Sequence, residues 1–396
     1  MKKNLLSMVV MLMGATLLTG CLSDSNKNND PIKITVTDGI YVINNGSAYS
    51  GIDGSLTVDT YDLTSVARQN VYKSVNGASL GGTPNDACVL GSKMYIVGSD
   101  ENTIFVLNSK TFKEITKIST VALLGEAGAT PRHIIGYGDR IYFTTYGTAN
   151  EDGSMSNGYV AAVDTVNFSK QGLYEVGVAP EGLTLGGTSD QNGKTAITLY
   201  VCNSDYGYGS GSISIINPVS GSVKEVKNAM IHNPQEVAVA GTTMYIIDWG
   251  YYDESWTQHE MGLFMLSDDR CVKLVPDATG MACLGYNILT YNYPYGAEKA
   301  SYSLYNIQNQ YASTFTLSGD SSKPIVSPCA ISIDPNTGYV LIASRNIDPT
   351  TGYPSYSTPG FVNIYNSEGV LSKSFETGVE PHKIGFTYAT KTLVTQ

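Results

Sequence analysis

The sequence predicts an all-β fold, a seven-bladed β-propeller whose closing blade is built from both ends of the chain. Three observations carry this expectation. A unit of about fifty residues recurs, each copy holding four short apolar-alternating runs separated by turn residues. Six copies are complete and a seventh is divided between the termini. The composition, with 41 Gly and 28 Tyr among 396 residues, suits turn-rich β structure.

The chain begins MKKNLLSMVVMLMGATLLTGC. Lys2 and Lys3 precede an apolar stretch from Leu5 to Leu18, too short for a bilayer-spanning helix of ~20 residues and suited to a secretion signal. Leu18-Thr19-Gly20-Cys21 resembles a bacterial lipobox, which implies cleavage before Cys21 and lipidation of that cysteine. An ordinary secretory signal ending near a cysteine is the alternative. Residues 1–20 are therefore expected to be a lipoprotein signal peptide, residues 21–35 a lipidated flexible tether and residues 36–390 the propeller. The expected location is the outer membrane, lipid-anchored and exposed at the cell surface.

The net charge of −11 argues against nucleic acid, whose phosphates need a basic surface. With 42% apolar and 15% charged residues the chain is too apolar for disorder. Cys88, Cys202, Cys271, Cys283 and Cys329 are odd in number and form no C-x-x-C pair. They read as small thiols of the interior rather than disulfides or a metal site.

The unit is clearest from Pro84, with runs at Ala87–Leu90, Met94–Gly98, Thr103–Leu107 and Glu114–Ile118. It reopens at Pro131, Pro180 and Pro234, at intervals of 47, 49 and 54 residues, and at Pro328, 94 residues on. A divergent copy without the proline starts near Ala278. Pro381 opens a last unit that the chain end cuts short. Residues 38–75 hold the missing runs: GIYVINNG, SLTVDTYDL and RQNVYKSV. An open β-solenoid is the rival, but it does not need the two ends to complete each other.

In such a ring the loops fall on two faces. Connections between first and second runs are mostly terse, as at Gly91-Ser92-Lys93 and Gly241-Thr242-Thr243. Those between second and third runs are long and rich in rings: Tyr49, Tyr146, Tyr206, Tyr208, Trp249, Tyr251, Tyr252, Trp256, Tyr291, Tyr293, Tyr295, Tyr353 and Tyr356. Rings on long loops over a rigid scaffold suit binding of flat, hydroxyl-rich ligands such as sugars and corrinoids. Residues after the opening prolines share that face and line the channel mouth: Asn85, Asp86, Arg132, His133, Glu181, Gln235, Glu236, Cys329, His382 and Lys383, with Arg345 nearby. They form a mixed polar ring able to read amide, hydroxyl or phosphate groups.

The sequence holds no HExxH, G-x-S-x-G, P-loop or EF-hand pattern. The acidic Asn150-Glu151-Asp152-Gly153 reads as a solvated turn. His133 and His382 with Glu181 or Glu236 are the candidates for acid–base work in a propeller lyase or hydrolase. No catalytic residue, metal or cofactor is expected.

The proline-led inner strand and the body MYIVGSDENTIFVLNSKTF resemble the YVTN/YncE-like propellers. With the lipobox, APEGLTL, DWGYYD and SFETGVEPHKIGF, the chain is more closely similar to surface lipoprotein propellers of Bacteroidota. The BtuG branch of those captures vitamin B12 and passes it to a TonB-dependent transporter. That resemblance implies a non-enzymatic capture protein with cobalamin as ligand, and a small-molecule nutrient, an outer-membrane transporter and the membrane as partners. Glycan binding as an accessory of polysaccharide uptake is the alternative from the same rings.

Overall fold

The computed structural model describes residues 32–62, 64–150, 154–189, 195–268, 270–319 and 322–393. The signal segment, Cys21, the tether up to residue 31 and residues 151–153 of the acidic turn lie outside the described residues. Each repeat unit folds as an antiparallel sheet with its strands in chain order. The first is Pro84–Leu90, Lys93–Gly98, Thr103–Asn108 and Glu114–Ser119. Five more four-stranded sheets follow, opening with Pro131–Tyr137, Pro180–Ser189, Pro234–Ala240, Gly280–Leu284 and Ser327–Ile333. The proline-less fifth copy therefore forms a full sheet. A three-stranded sheet joins the two ends of the described chain: Pro381–Leu393 lies innermost, then Ile32–Asn44, then Ser55–Asp59.

The innermost strands touch one another in chain order, and Pro381–Leu393 returns to Pro84–Leu90. The fold is a β-propeller. Its apolar core lies between neighbouring sheets, not at the centre. Tyr95, Val97 and Ile104 of the first sheet pack on Ile134, Ile141 and Phe143 of the second. Ile40, Val42 and Ile384 of the closing sheet pack on Leu341, Ala343 and Val362 of the sixth. Such burial, ~1.5–3 kcal/mol per large side chain, holds the ring without filling its axis.

Glycines let adjacent sheets approach. A Cβ on Gly158 or on Gly211, each just before the third strand of its sheet, would lie 2.4 Å from the ring of the next opening proline, Pro180 or Pro234. The closing sheet is clasped to the sixth by Lys373, whose ammonium meets Asp59 Oδ2 at 2.6 Å, Asp62 O at 2.8 Å and Ser65 Oγ at 2.9 Å.

Three expectations are corrected. RQNVYKSV is not an outer strand. Arg68 makes one bridge to Val58, and Val71–Asn76 is a short helix. Its Tyr72 is buried edge-on against Phe105, with ring centroids 5.5 Å apart, and donates to the Glu114 carboxylate. The tether ends earlier than residue 35, because Ile32 to Thr37 pair with Leu393 to Tyr388. Tyr291 is not a loop residue; it sits in the strand Asn287–Asn292 and is buried against Gly280.

Candidate functional site

The opening prolines set the geometry of the axis. Proline has no N–H for the ladder, and the pairing slips directly after it. The register skips Asn85 in the first sheet, Arg132 and His133 in the second, and Glu181 with Gly182 in the third. It also skips Gln235, Cys329 and His382 in the fourth, sixth and closing sheets. Bulges re-aim side chains, and every one of these residues lines the central cavity. The fifth sheet has no opening proline and no slip. It presents the backbone N–H of Met281, which donates to Glu236 Oε2 at 3.3 Å.

The cavity encloses 1510 Å³. Its base holds a chain of ion pairs. Lys383 Nζ lies 3.0 Å from Asp86 Oδ1, and His133 bridges Asp86 at 3.3 Å and Glu181 at 3.2 Å. Arg132 grips Glu181 with Nε and one Nη, both at 3.2 Å, and the Tyr146 hydroxyl donates to the same carboxylate. Burial opposes an ionised Asp86, but Lys383 and His133 outweigh it and hold the carboxyl well below the usual range. Burial is likewise overcome at Glu181, where Arg132 and then His133 lower the value to about 2. At His133 burial favours the neutral ring, yet Asp86 and Glu181 raise its pKa. Two neighbours behave in the opposite way. Burial pushes Glu236 up to about 7, against the Met281 N–H and Lys383. Burial drives His382 down to about 4, assisted by the positive His133 and Arg132.

The lip is aromatic. Trp249 donates from Nε1 to Thr279 O at 2.9 Å, tying the fourth sheet's loop to the start of the fifth sheet. That loop forms its own small hairpin, Tyr251–Tyr252 against Gln258–His259. Gln258 donates to Trp249 O at 2.8 Å and accepts from the Tyr295 N–H at 3.0 Å. The rings of Tyr252 and Tyr295 stand 6.3 Å apart, so the two ring-rich loops emerge on the same face. Tyr146 meets Tyr206 edge-on at 5.1 Å, beneath Arg132. On another part of the lip Arg345 lies 4.8 Å over Tyr356 and is held by Glu380.

Asn85, Asp86, Arg132, His133, Tyr146, Tyr206, Gln235 and Glu236 of the expected set line the cavity. So do Trp249, Tyr252, Tyr291, Tyr293, Tyr295, Arg345, Tyr353 and His382. Tyr208, Tyr251 and Trp256 do not. Tyr208 points to solvent. Tyr251 turns away between His259 and His232, at 5.4 and 5.1 Å. Trp256 stands at the hairpin tip, 77% exposed. Tyr49 is likewise outside the cavity and fully exposed. Gln258 and Tyr41 line the cavity without having been anticipated, and Cys88 and Cys283 line it from strands expected to be interior. Gln258 has no signature in the sequence, because its role depends on a two-residue ladder. All five described cysteines are free.

A family described as a domain of unknown function (DUF5074) matches residues 38–173. No curated protein matches. Among solved structures, hydrazine synthase of Kuenenia stuttgartiensis is similar at 13% identity and TM-score 0.53, over 79% of this chain and 89% of that one. A functionally unknown protein from Desulfotomaculum acetoxidans is similar at 8% identity and TM-score 0.55, over 88% and 99%. These likenesses concern the fold alone.

Proposed function

We propose that this chain is a seven-bladed propeller that captures a nutrient ligand without transforming it, with a corrinoid as the favoured ligand. The observation that carries the reading is the cavity itself: a wide, aromatic-lipped bowl whose base charges are largely committed to one another. Ligand pockets usually measure ~300–1,000 Å³, and 1510 Å³ suits something larger than a common metabolite. Tyr252, Tyr293, Tyr295 and Trp249 offer rigid rings to a flat body. Both nitrogens of His133 face carboxylates, and Glu181 is held by Arg132, His133 and Tyr146. At His133 and Glu181 such commitment favours holding over proton transfer. The lipobox-like N-terminus and the resemblance to YncE- and BtuG-like propellers support a lipid-anchored protein at the outer-membrane surface. A TonB-dependent transporter is the proposed recipient of the ligand.

Calorimetry with cyanocobalamin tests the reading. Saturable 1:1 binding and a melting temperature that climbs with ligand are expected. Absence of heat together with an unmoved melting temperature at high ligand concentration removes the corrinoid. Glycan binding is the second reading, favoured by the exposed rings of Tyr252, Trp256 and Tyr295 at the lip. A glycan array separates the two.

A further inference from the structure

The charges at the base of the bowl, where the inner strands begin, do not cancel. Arg132 and Lys383 bring two positive groups and Asp86 and Glu181 two negative ones, and His133, set between the two carboxylates, adds a positive charge when protonated. Arg345 and Glu380 neutralise each other, at 2.5 Å. With His133 protonated, Glu236 decides between a local charge of +1, when it is itself protonated, and zero, when it is ionised. This excess sits inside a chain of net charge −11, so it is a local feature of the cavity. The base also holds unused donors. Lys383 Nζ has one hydrogen-bonding partner, Asp86, among the described residues. Arg132 commits Nε and one Nη to Glu181 and lies against Tyr146, and its other Nη gives no hydrogen bond to Glu181. The His382 ring and Glu236 Oε1 face the cavity with no hydrogen-bond partner among the described residues.

We propose that this base is an oxyanion subsite, in which Lys383, the other Nη of Arg132 and protonated Glu236 hold one singly charged carboxylate or phosphodiester of the ligand, so that binding takes up a proton. Charge-assisted hydrogen bonds from an ammonium and a guanidinium to an oxyanion are the strong kind. The ionised form of Glu236 repels that anion, and the protonated form donates to it. The groups facing Glu236 set this behaviour together. Lys383 comes from the closing strand, His133 from the second sheet and Asp86 from the first. Cys202 of the third sheet, and Cys283 and Tyr291 of the fifth, also feel Glu236, and burial keeps all three neutral. A cation is disfavoured while Glu236 is protonated, because the base is then not negative.

The inference rests on the cavity being the ligand site, and small anions test it without depending on the corrinoid. Dimethyl phosphate and acetate both keep a fixed charge between about pH 6 and 8.5. Calorimetry with each is run across that range, in buffers of low and high ionisation enthalpy. The expected wild-type affinity weakens toward about tenfold per pH unit above pH 7, with on the order of half a proton taken up near pH 7. Glu236→Gln is expected to bind with a shallower pH slope than the wild type, the remainder coming from His133, and Lys383→Met to lose about tenfold or more. A stronger response to dimethyl phosphate assigns a phosphodiester, and a stronger response to acetate a carboxylate. The inference is overturned by a flat wild-type pH profile, by unchanged binding in Lys383→Met, or by no binding of either anion. If Lys383→Met fails to fold, the two-buffer proton count on the wild type decides alone. Anion binding without cyanocobalamin binding would keep the subsite and remove the corrinoid.

Discussion

Lys373 and Lys383 each meet a buried aspartate, Asp59 at 2.6 Å and Asp86 at 3.0 Å. Around Lys373 the environment is closed. Its side chain is 6% exposed, and Thr60 O, Asp62 O and Ser65 Oγ complete its hydrogen bonding. It joins Leu371–Val379 of the sixth sheet to Ser55–Asp59 and the turn beyond, at the seam where the ring closes. Around Lys383 the environment is open. Its side chain is 42% exposed, Asp86 is its one hydrogen-bonding partner among the described residues, and its remaining hydrogens face the cavity. The two pairs share the same chemistry and differ in how completely it is satisfied. Full satisfaction marks a clasp, and incomplete satisfaction in a cavity marks a place for something else.

The largest expected effect is at the clasp. Lys373→Met leaves Asp59 buried without its cation and should destabilise the fold by about 3–5 kcal/mol in denaturant titrations. A loss under about 1 kcal/mol would mean that the seam does not depend on this contact, and the contrast with Lys383 would collapse.

Next comes a pair of opposite pH responses from the open region. The folded value of His382, about 4, lies below the ordinary 6.5. Its stabilising contribution is present above the ordinary value and is lost as pH falls toward 4. The folded value of Glu236, about 7, lies above the ordinary 4.5. Its contribution is full below 4.5 and is lost as pH rises through 7. Between those limits the two slopes oppose each other, and wild-type stability should change little. Glu236→Gln should lose stability on acidification from pH 6.5 to 4.5, whereas His382→Asn should gain it. Access to the channel tempers both effects. Denaturation midpoints at several pH values check this, and parallel profiles for the two variants would refute it. Glu181, held at about 2, contributes its loss below this window. Lys383→Met follows with a smaller stability change of about 1 kcal/mol, because water reaches the ammonium and the remaining aspartate keeps His133.

The clasp and the open base were unequally legible. The prolines announced both the sheets and the polar ring, because one residue type starts the inner strand and also breaks its register. Asn85, Arg132, His133, Gln235 and His382 were therefore readable from position alone. The partners were not. Lys383 finds Asp86, and Lys373 finds Asp59, only when the ring closes, and no spacing in the chain encodes that. Val71–Asn76 reads as strand in the sequence and is helix in the fold, because six residues are too few for strand and helix periods to separate. The sequence expectation puts Tyr291 in a loop, yet the strand runs on to Asn292 before the turn. The sequence does not show that Tyr251 turns away from the cavity, because alternation across a two-residue ladder cannot be read without its register.

Trp249 and Trp256 bring the same contrast down to one loop and give the smallest expected effect. Trp249 is tied by Nε1 to Thr279 O and lines the cavity, so Trp249→Phe orphans a carbonyl and loosens the link between the fourth and fifth sheets. Among the described residues the Trp256 indole makes no such hydrogen bond. It sits at a hairpin tip in left-handed backbone, φ 61°, with its ring 6.5 Å from Tyr252. Asp253 shapes that tip by accepting from the Ser255 and Thr257 N–H groups, and neither bond uses the indole. Trp256→Ala should therefore change stability by less than about 0.5 kcal/mol and cavity affinity by less than about twofold. Trp256→Gly should be at least as stable, since glycine accepts that backbone without strain. If Trp256→Ala instead weakens ligand binding several-fold, the ligand reaches beyond the bowl onto the exposed lip. The stacking platform of the glycan reading would then outrank the enclosed cavity.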